Sequence, residues 1–307
     1  MRSEEIFYYM PITRYINSFL MFFFGDNILG SLFLISFFPI FIFKILNIYL
    51  TNKISFILTF FFLFIPIFEA LGFTIINYIS FTVDGYGEGL SYLFLVVISY
   101  FYFSKDNTYL KFFLIGFLSF LVIGIRPNYL IFNSILIISY ICYLKFYNQN
   151  IKNTILKIFL ILSGFAFVLL IPLHNYIYSE ELVFLVKTDN IQNSYHIKLN
   201  DYIYLFNSLL DLNFDYELFY KIKKHLFNYI KIYEFLFFFT LINLLFILFC
   251  KIAIKIKIFS ISLIFMHLTY LFFLGDPRYS MGCWLLSFIV LIYSCKIIYF
   301  PYLKAKF

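Results

Sequence analysis

Residues 28–50 read ILGSLFLISFFPIFIFKILNIYL, 23 positions with a single charge, Lys44. A helix needs about 20 mostly apolar residues to cross a bilayer, so this stretch has the length and composition of a span. The rest of the 307-residue chain has the same character: 63% hydrophobic, 25% aromatic and 13% charged, with a mean hydropathy of +0.92. Soluble domains average about 45–50% apolar and about 25% charged. So few charges would not cover a water-facing surface. The chain reads as a single integral membrane domain over 1–307, an all-α polytopic bundle of transmembrane helices.

Working outward from 28–50, the further spans are 54–76, 88–103, 112–125, 128–144, 156–173, 229–249, 258–274 and 283–300, about nine in all. The fourth and fifth touch at Arg126-Pro127, where a hairpin or a broken helix is expected. One long polar segment, 174–228, separates the sixth span from the seventh. No internal repeat, Gly/Ser linker or low-complexity spacer divides the chain.

Orientation comes from the lysines. Lys53; Lys105 and Lys111; Lys145, Lys152 and Lys157; Lys251, Lys255 and Lys257; and Lys304 and Lys306 fall in segments that alternate with the spans. Asp106 is the single acid among them, which marks the cytoplasmic side. The opposite, outer side then holds 1–27, 77–87, the Arg126-Pro127 turn, the large loop 174–228, and 275–282. Residues 1–27 read as an external or interfacial acidic loop with an amphipathic helix. An outer N-terminus without a preceding span is unusual, which leaves two readings: residues 6–24, interrupted by Arg14 and Asn17, cross the bilayer and shift the frame, or, more economically, a first helix is missing through a truncated or misannotated start. The localisation this implies is the cytoplasmic (inner) cell membrane.

The net charge of +7 fits loop anchoring and gives no reason to invoke nucleic acid. The 48 Phe and 28 Tyr, with abundant Ile, Asn and Lys, look partly like AT-rich codon usage and are read as packing residues. Cys142, Cys250, Cys283 and Cys295 lack CxxC or His-rich spacing and read as small buried hydrophobes. His174, His196 and His267 have no ligand spacing, no DxD pair calls for a metal, and no cofactor is evident. A divalent metal is left open.

The remaining charges are unevenly placed. Twelve of the sixteen acids lie on the assigned outer side, with Glu69, Glu88 and Glu234 within or at the edge of spans. All four arginines, Arg2, Arg14, Arg126 and Arg278, fall there too, against the positive-inside tendency. Salt bridging at the interface is the plainer use for such residues. Arginine also binds phosphate oxygens through its planar fork and keeps its charge when partly desolvated. Two turns carry this signal: Gly124-Ile125-Arg126-Pro127-Asn128, and Gly275-Asp276-Pro277-Arg278-Tyr279 just before the final helix. At a helix N-terminus the dipole and free N–H groups add to anion attraction.

In order along the chain, these pieces resemble the GT-C superfamily of polytopic glycosyltransferases that use polyprenyl-phosphate sugars, including protein mannosyltransferase-like and lipid A sugar transferase-like enzymes. Ser3-Glu4-Glu5-Ile6-Phe7-Tyr8-Tyr9 resembles the acidic stretch of that family's first external loop, and Phe24-Gly25-Asp26-Asn27 then leads into a span. Glu88 resembles a recurrent Glu, Gly124 to Pro127 a GxRP turn, Pro172-Leu173-His174-Asn175 the step into the large loop, and Arg278-Tyr279 a late Arg-Tyr turn. The likeness spans nearly the whole chain in short, degenerate motifs. The family's first helix is absent, and Glu4 or Glu5 stands where an Asp is usual.

The resemblance implies transfer of a sugar from a polyprenyl-phosphate donor to a glycan, lipid or protein acceptor at the outer face of the bilayer. Glu4 or Glu5 would be the general base, Glu88 would orient the acceptor or an arginine, and Arg126, Arg278 and Tyr279 would bind the lipid phosphate. The competing classes are an O-antigen-type polysaccharide polymerase or ligase, a transporter or flippase, and an inactive fragment. An acidic first loop favours the transferase; a transporter would show inverted repeats or paired broken helices. The topology predicts that single cysteines at positions 105 and 190 react with a membrane-impermeant thiol reagent from opposite sides. Labelling of both from one side would overturn it.

Overall fold

The computed structural model describes residues 11–25, 28–64, 87–105, 107–147, 150–180, 182–184, 199–211, 213–269 and 281–304. The described residues form helices and no strands. The helices are α1 (Pro11–Phe24), α2 (Leu29–Ile35), α3 (Phe37–Asn47), α4 (Asn52–Phe64), α5 (Glu88–Phe103), α6 (Tyr109–Ile125) and α7 (Leu130–Tyr147). They continue with α8 (Ile151–Phe165), α9 (Leu170–Ser179), α10 (Leu199–Leu210), α11 (Tyr216–Phe249), α12 (Ile254–Leu268) and α13 (Met281–Lys304).

Among the described residues three stretches are long and apolar enough to cross a membrane: Leu29–Asn47, Pro127–Phe146 and Ile151–Tyr178. Asn52–Phe64, Glu88–Phe103, Tyr109–Ile125, Phe237–Phe249 and Gly282–Ile297 are apolar but shorter. Large apolar side chains face outward, among them Phe22, Phe56, Ile138, Phe159 and Phe246, so much of the exterior is of a kind that water covers poorly. The polar groups turn inward. The buried hydroxyls of Ser99, Ser119, Ser260 and Ser294 each donate to the carbonyl four residues back, at 2.7–2.9 Å. Each is thereby satisfied within its own helix, as an apolar surrounding demands.

Two boundaries differ from the sequence reading. The sixth expected span ends at 173, but a 3-10 turn (Ala166–Leu169) and α9 carry the helical path on to Ser179. The segment 174–228 also contains α10 and the start of α11. Asp215 caps α11 by accepting from the Leu218 N–H at 2.9 Å. With 34 residues, α11 is roughly 51 Å long at about 1.5 Å per residue, against a hydrocarbon core of about 30 Å. Its polar first half therefore extends well past any span formed by its apolar second half. Cys142 and Cys295 are exposed, not buried as expected; Cys283 is buried and its thiol donates to the Leu263 carbonyl at 3.2 Å.

The break at Arg126-Pro127 is a hairpin. Arg126 is extended (φ −139°, ψ 98°), as a residue before proline prefers, and a single 3-10 turn, Pro127–Tyr129, leads into α7. Phe112 and Tyr140, equally far in sequence from Arg126, stack with ring centroids 6.3 Å apart, so the chain doubles back.

Among the described residues α6 and α8 approach most closely. A Cβ placed on Gly116 would collide with the Ile161 carbonyl and lie 2.8 Å from the Phe165 nitrogen. One placed on Gly164 would collide with the Phe113 carbonyl and lie 2.7 Å from the Phe117 nitrogen. The two glycines let the backbones touch, a contact that small residues make available between helices in lipid. On the other side of the bundle, Asn243 of α11 donates to the Ser287 carbonyl and hydroxyl of α13 at 2.9 and 2.8 Å.

A methyl group at the glycine crossing has no room, so Gly116→Ala and Gly164→Ala should each cost about 2–3 kcal/mol through forced backbone separation. Reversible unfolding in bilayers reads this directly. A loss below roughly 0.5 kcal/mol, the range of an unconstrained surface substitution, would contradict the packing described.

Candidate functional site

One end of the bundle collects the helix termini that the sequence motifs flank. Glu88 is the first residue of α5 and is completely buried. Its carboxylate forms an ion pair with the Arg126 guanidinium, whose side chain is 11% exposed. The position suits an acid, since the amide dipoles of α5 direct positive potential at its first turn. The Ser91 hydroxyl donates to the Glu88 carbonyl at 2.9 Å and closes that turn. Proline after Arg126 keeps the guanidine-bearing residue out of helix, so that its side chain reaches back across the hairpin to α5.

Around the pair the packing is close. A Cβ on Gly87 would sit 2.8 Å from Ile125 Cγ2 and 3.2 Å from the Thr13 hydroxyl oxygen, so α1 lies against the start of α5. A Cβ on Gly124 would strike Ile12 and approach Ile171 Cδ1 at 3.4 Å, which brings α9 to the same place. Tyr92 and Tyr129 meet edge to face at 6.1 Å, both buried. Gly282, in the first turn of α13, sits on the Tyr92 ring, where a Cβ would lie 2.9 Å away. The starts of α1, α5 and α13 and the end of α6 thus meet at one end.

Toward the same end of the bundle lies an apolar groove of about 340 Å³, lined by residues of α1, α6 and α9 that include Ile12, Tyr15, Phe120, Ile171, His174 and Tyr178. His174 packs between two rings, edge-on to Tyr15 at 5.6 Å and against Tyr178 at 4.6 Å. Beside it, buried Asn175 donates to the Val183 carbonyl at 2.8 Å, fixing the chain just beyond α9. The groove shares Ile12 and Ile171 with the Gly124 contact, two residues from Arg126.

Of the residues nominated from sequence, Glu88 and Arg126 are brought into direct contact. Glu4, Glu5, Arg278 and Tyr279 lie outside the described residues, as do Asp26, Glu69 and Asp276. Among the described elements, α1 begins against Gly87 and α13 against Tyr92. Thr13, Tyr92 and Tyr129 were not nominated, because nothing local marks a hydroxyl that tertiary packing carries to a charged pair. Among the described residues no three His, Cys, Asp or Glu side chains converge as a metal site.

What the arrangement can do chemically follows from its charge balance. The Glu88 carboxylate faces the Arg126 guanidinium directly, a geometry that suits it to positioning that side chain. The Arg126 Nε is buried with no hydrogen-bond partner among the described residues, so the guanidinium keeps donor capacity beyond the ion pair. Comparison with known protein families, characterised proteins and solved structures returned no match.

Removing one partner strands a buried charge. Arg126→Met should cost about 3–5 kcal/mol, and adding Glu88→Met should restore a large part of the loss. A double-mutant cycle on unfolding measures the coupling. Strictly additive losses would mean that the two side chains do not interact.

Proposed function

We propose that the protein is an integral multi-pass membrane glycosyltransferase that moves a sugar from a polyprenyl-phosphate donor to an acceptor at one face of the bilayer. The observation that carries this reading is an arginine paired with a buried carboxylate, its buried Nε still without an acceptor, at the end of the bundle where Ile12 and Ile171 line an apolar groove. Such a juxtaposition matches a ligand that is anionic at its head and hydrocarbon along its length. The motifs quoted above, in family order along the chain, point to the same class of substrate. About nine spans, with the lysine-rich loops cytoplasmic, complete the reading, and the cytoplasmic (inner) membrane is the proposed location.

In the proposed reaction an acceptor hydroxyl oxygen attacks the sugar's anomeric carbon. The new C–O bond forms as the bond from that carbon to the phosphate oxygen breaks, and its electron pair leaves with the lipid phosphate. Glu4 or Glu5 takes the hydroxyl proton as general base. Arg278 and Arg126 offset the charge gathering on the leaving phosphate, with Tyr279 as a further donor. Glu88 is then a positioning residue: it fixes the guanidinium of Arg126 and leaves the phosphate to the remaining donors. The groove between α1, α6 and α9 takes the first isoprene units.

Reconstituted protein supplied with radiolabelled polyprenyl-phosphate sugars and membrane acceptors tests this. Arg278→Ala should lower turnover by roughly 100-fold, as loss of one preorganised charge donor does. Arg126→Lys keeps the charge and the ion pair but loses the planar fork, and should fall by about 10-fold while folding normally. Glu4→Gln and Glu5→Gln identify the base. Turnover unchanged in all four folded variants would remove the site, and labelled substrate crossing the bilayer without covalent transfer would point to a transporter.

A further inference from the structure

Both ends of α1 lie at the end of the bundle that holds Glu88 and Arg126. Its first turn is there: a Cβ on Gly124, in the last turn of α6, would strike Ile12, and one on Gly87, just before α5, would lie 3.2 Å from the Thr13 hydroxyl oxygen. Its later turns meet α2, where a Cβ on Gly30 would lie 2.9 Å from Leu20 Cβ and 3.2 Å from Phe24 Cδ2. Gly30 stands level with Gly87. The path α2–α3 and helix α5 run in one direction, since Tyr49, just past α3, and Phe103, the last residue of α5, both meet Tyr293, with ring centroids 4.2 and 5.1 Å from it. Phe41 of α3 packs against Tyr100 of α5 at 5.8 Å, so Gly30 and Glu88 each lie roughly 17 Å of helix before that contact. The 14 residues of α1, roughly 21 Å of helix, therefore run across the bundle and not along it.

Three faces of this transverse helix differ in chemistry. Thr13 and Leu20, seven residues apart, are buried against its neighbours. One flank exposes Tyr15, Phe19 and Phe22, at the spacing of a single helical stripe and 53%, 64% and 82% exposed. The other flank exposes Arg14 and Ser18, with partly buried Asn17 beside them. Water alone would leave the aromatic stripe uncovered, and hydrocarbon alone would surround an arginine. A helix with one aromatic and one basic, polar flank satisfies both at the boundary, its apolar side among acyl chains and its polar side toward headgroups. Tyr15 is also a wall of the apolar groove, whose wall on α9 exposes Leu170, Leu173 and Ile177. The groove thus opens on the side of α1 that carries the aromatic stripe.

We propose that α1 lies in the plane of the bilayer surface, its Tyr15–Phe19–Phe22 stripe seated among the acyl chains of one leaflet, and that the groove between α1 and α9 opens sideways into that leaflet. The partner is lipid hydrocarbon: the stripe carries no charge, and through Tyr15 it continues into the exposed apolar wall of α9. Arg14 and Ser18 face the headgroups. The position of α1 does not depend on sugar transfer. What it adds to that reading, and what rests on it, is the route of entry: a prenyl chain slides into the groove from the leaflet without leaving hydrocarbon, and its phosphate reaches the bundle end at the depth of the headgroups.

Nitroxide labels on single cysteines of the full chain in phosphatidylcholine bilayers test this, with Cys142, Cys250, Cys283 and Cys295 replaced by alanine. Collision with oxygen, which concentrates in hydrocarbon, and with a water-soluble nickel chelate reports the depth of each label. Labels at Tyr15→Cys, Phe19→Cys, Phe22→Cys and Leu170→Cys should meet oxygen and be shielded from nickel, and those at Arg14→Cys and Ser18→Cys should show the reverse. Depths at 15 and 22 should agree, whereas an upright helix would separate them by roughly 10 Å, seven residues of rise. That separation would overturn the proposal, as would nickel access at 170, which would open the groove to water. Ile138→Cys, on the exposed face of α7, is the reference. Nickel access at 15, 19 and 22 with 138 shielded would overturn the placement of α1 and leave the membrane reading standing; access at 138 as well would overturn both. None of these readouts involves turnover, so loss of the transferase reading would not alter them.

Discussion

The Glu88–Arg126 ion pair fixes one end of a bundle whose helices otherwise meet through apolar contacts. Apolar packing is weakly directional, and in lipid it does not even gain from excluding water. A charge pair supplies direction. It closes the hairpin of α6 and α7 against the start of α5 and sets which side chains surround the turn. Tyr92, Tyr129, Thr13 and the first turn of α13 then take their places around a centre that one carboxylate and one guanidinium define. Such a pair is expensive to bury and does little for net stability compared with a good apolar substitute. Its retention at a bundle end that also carries a groove is why we read the position as functional.

The bundle has two chemically different ends, and α6 connects them. Arginine serves the first, where a guanidinium meets a carboxylate and its Nε is left for a further acceptor. Lysine serves the second, where compact ammonium groups sit over the rings of Phe112, Tyr102, Tyr140 and Tyr143. The division follows from the two side chains: a guanidinium keeps its charge and geometry at depth, and an ammonium on a flexible stem reaches an interface. Between the ends the helices hold themselves with Gly116 against Gly164, Asn243 against Ser287, and serine hydroxyls turned onto their own backbone. None of these contacts needs water.

Much of this architecture is legible in the sequence alone. Helix was dictated by apolar length, and the stop at Arg126 by the proline that follows it. The charge segregation was visible as residue type against position. The contact between Glu88 and Arg126 was not visible, since 38 residues and a helix turn separate them and no periodicity links their registers. Burial of Lys111 and Lys157 was not visible either: both were read as cytoplasmic anchors, and the fold sets them beside the Phe112 ring, with the Ser104 carbonyl and the Asn107 amide oxygen as acceptors. Cys142 and Cys295 were misread in the opposite sense, because in lipid an exposed face can be apolar. The length of α11 escaped notice because its first half is polar, and capping by Asp215 starts the helix far ahead of its apolar run.

The central claim is that the groove at the Arg126 end of the bundle receives the hydrocarbon of a lipid whose phosphate the arginines hold. A polyprenyl phosphate carrying a photoreactive group on its first isoprene units tests that most directly, with the crosslinked residues mapped after irradiation in bilayers. The account predicts crosslinks concentrated at Ile12 and Tyr15 of α1 and between Ile171 and Tyr178 of α9, abolished by excess unlabelled polyprenyl phosphate and spared by excess uncharged polyprenol. Crosslinks spread evenly over the apolar exterior, or competed equally by the uncharged alcohol, would contradict it.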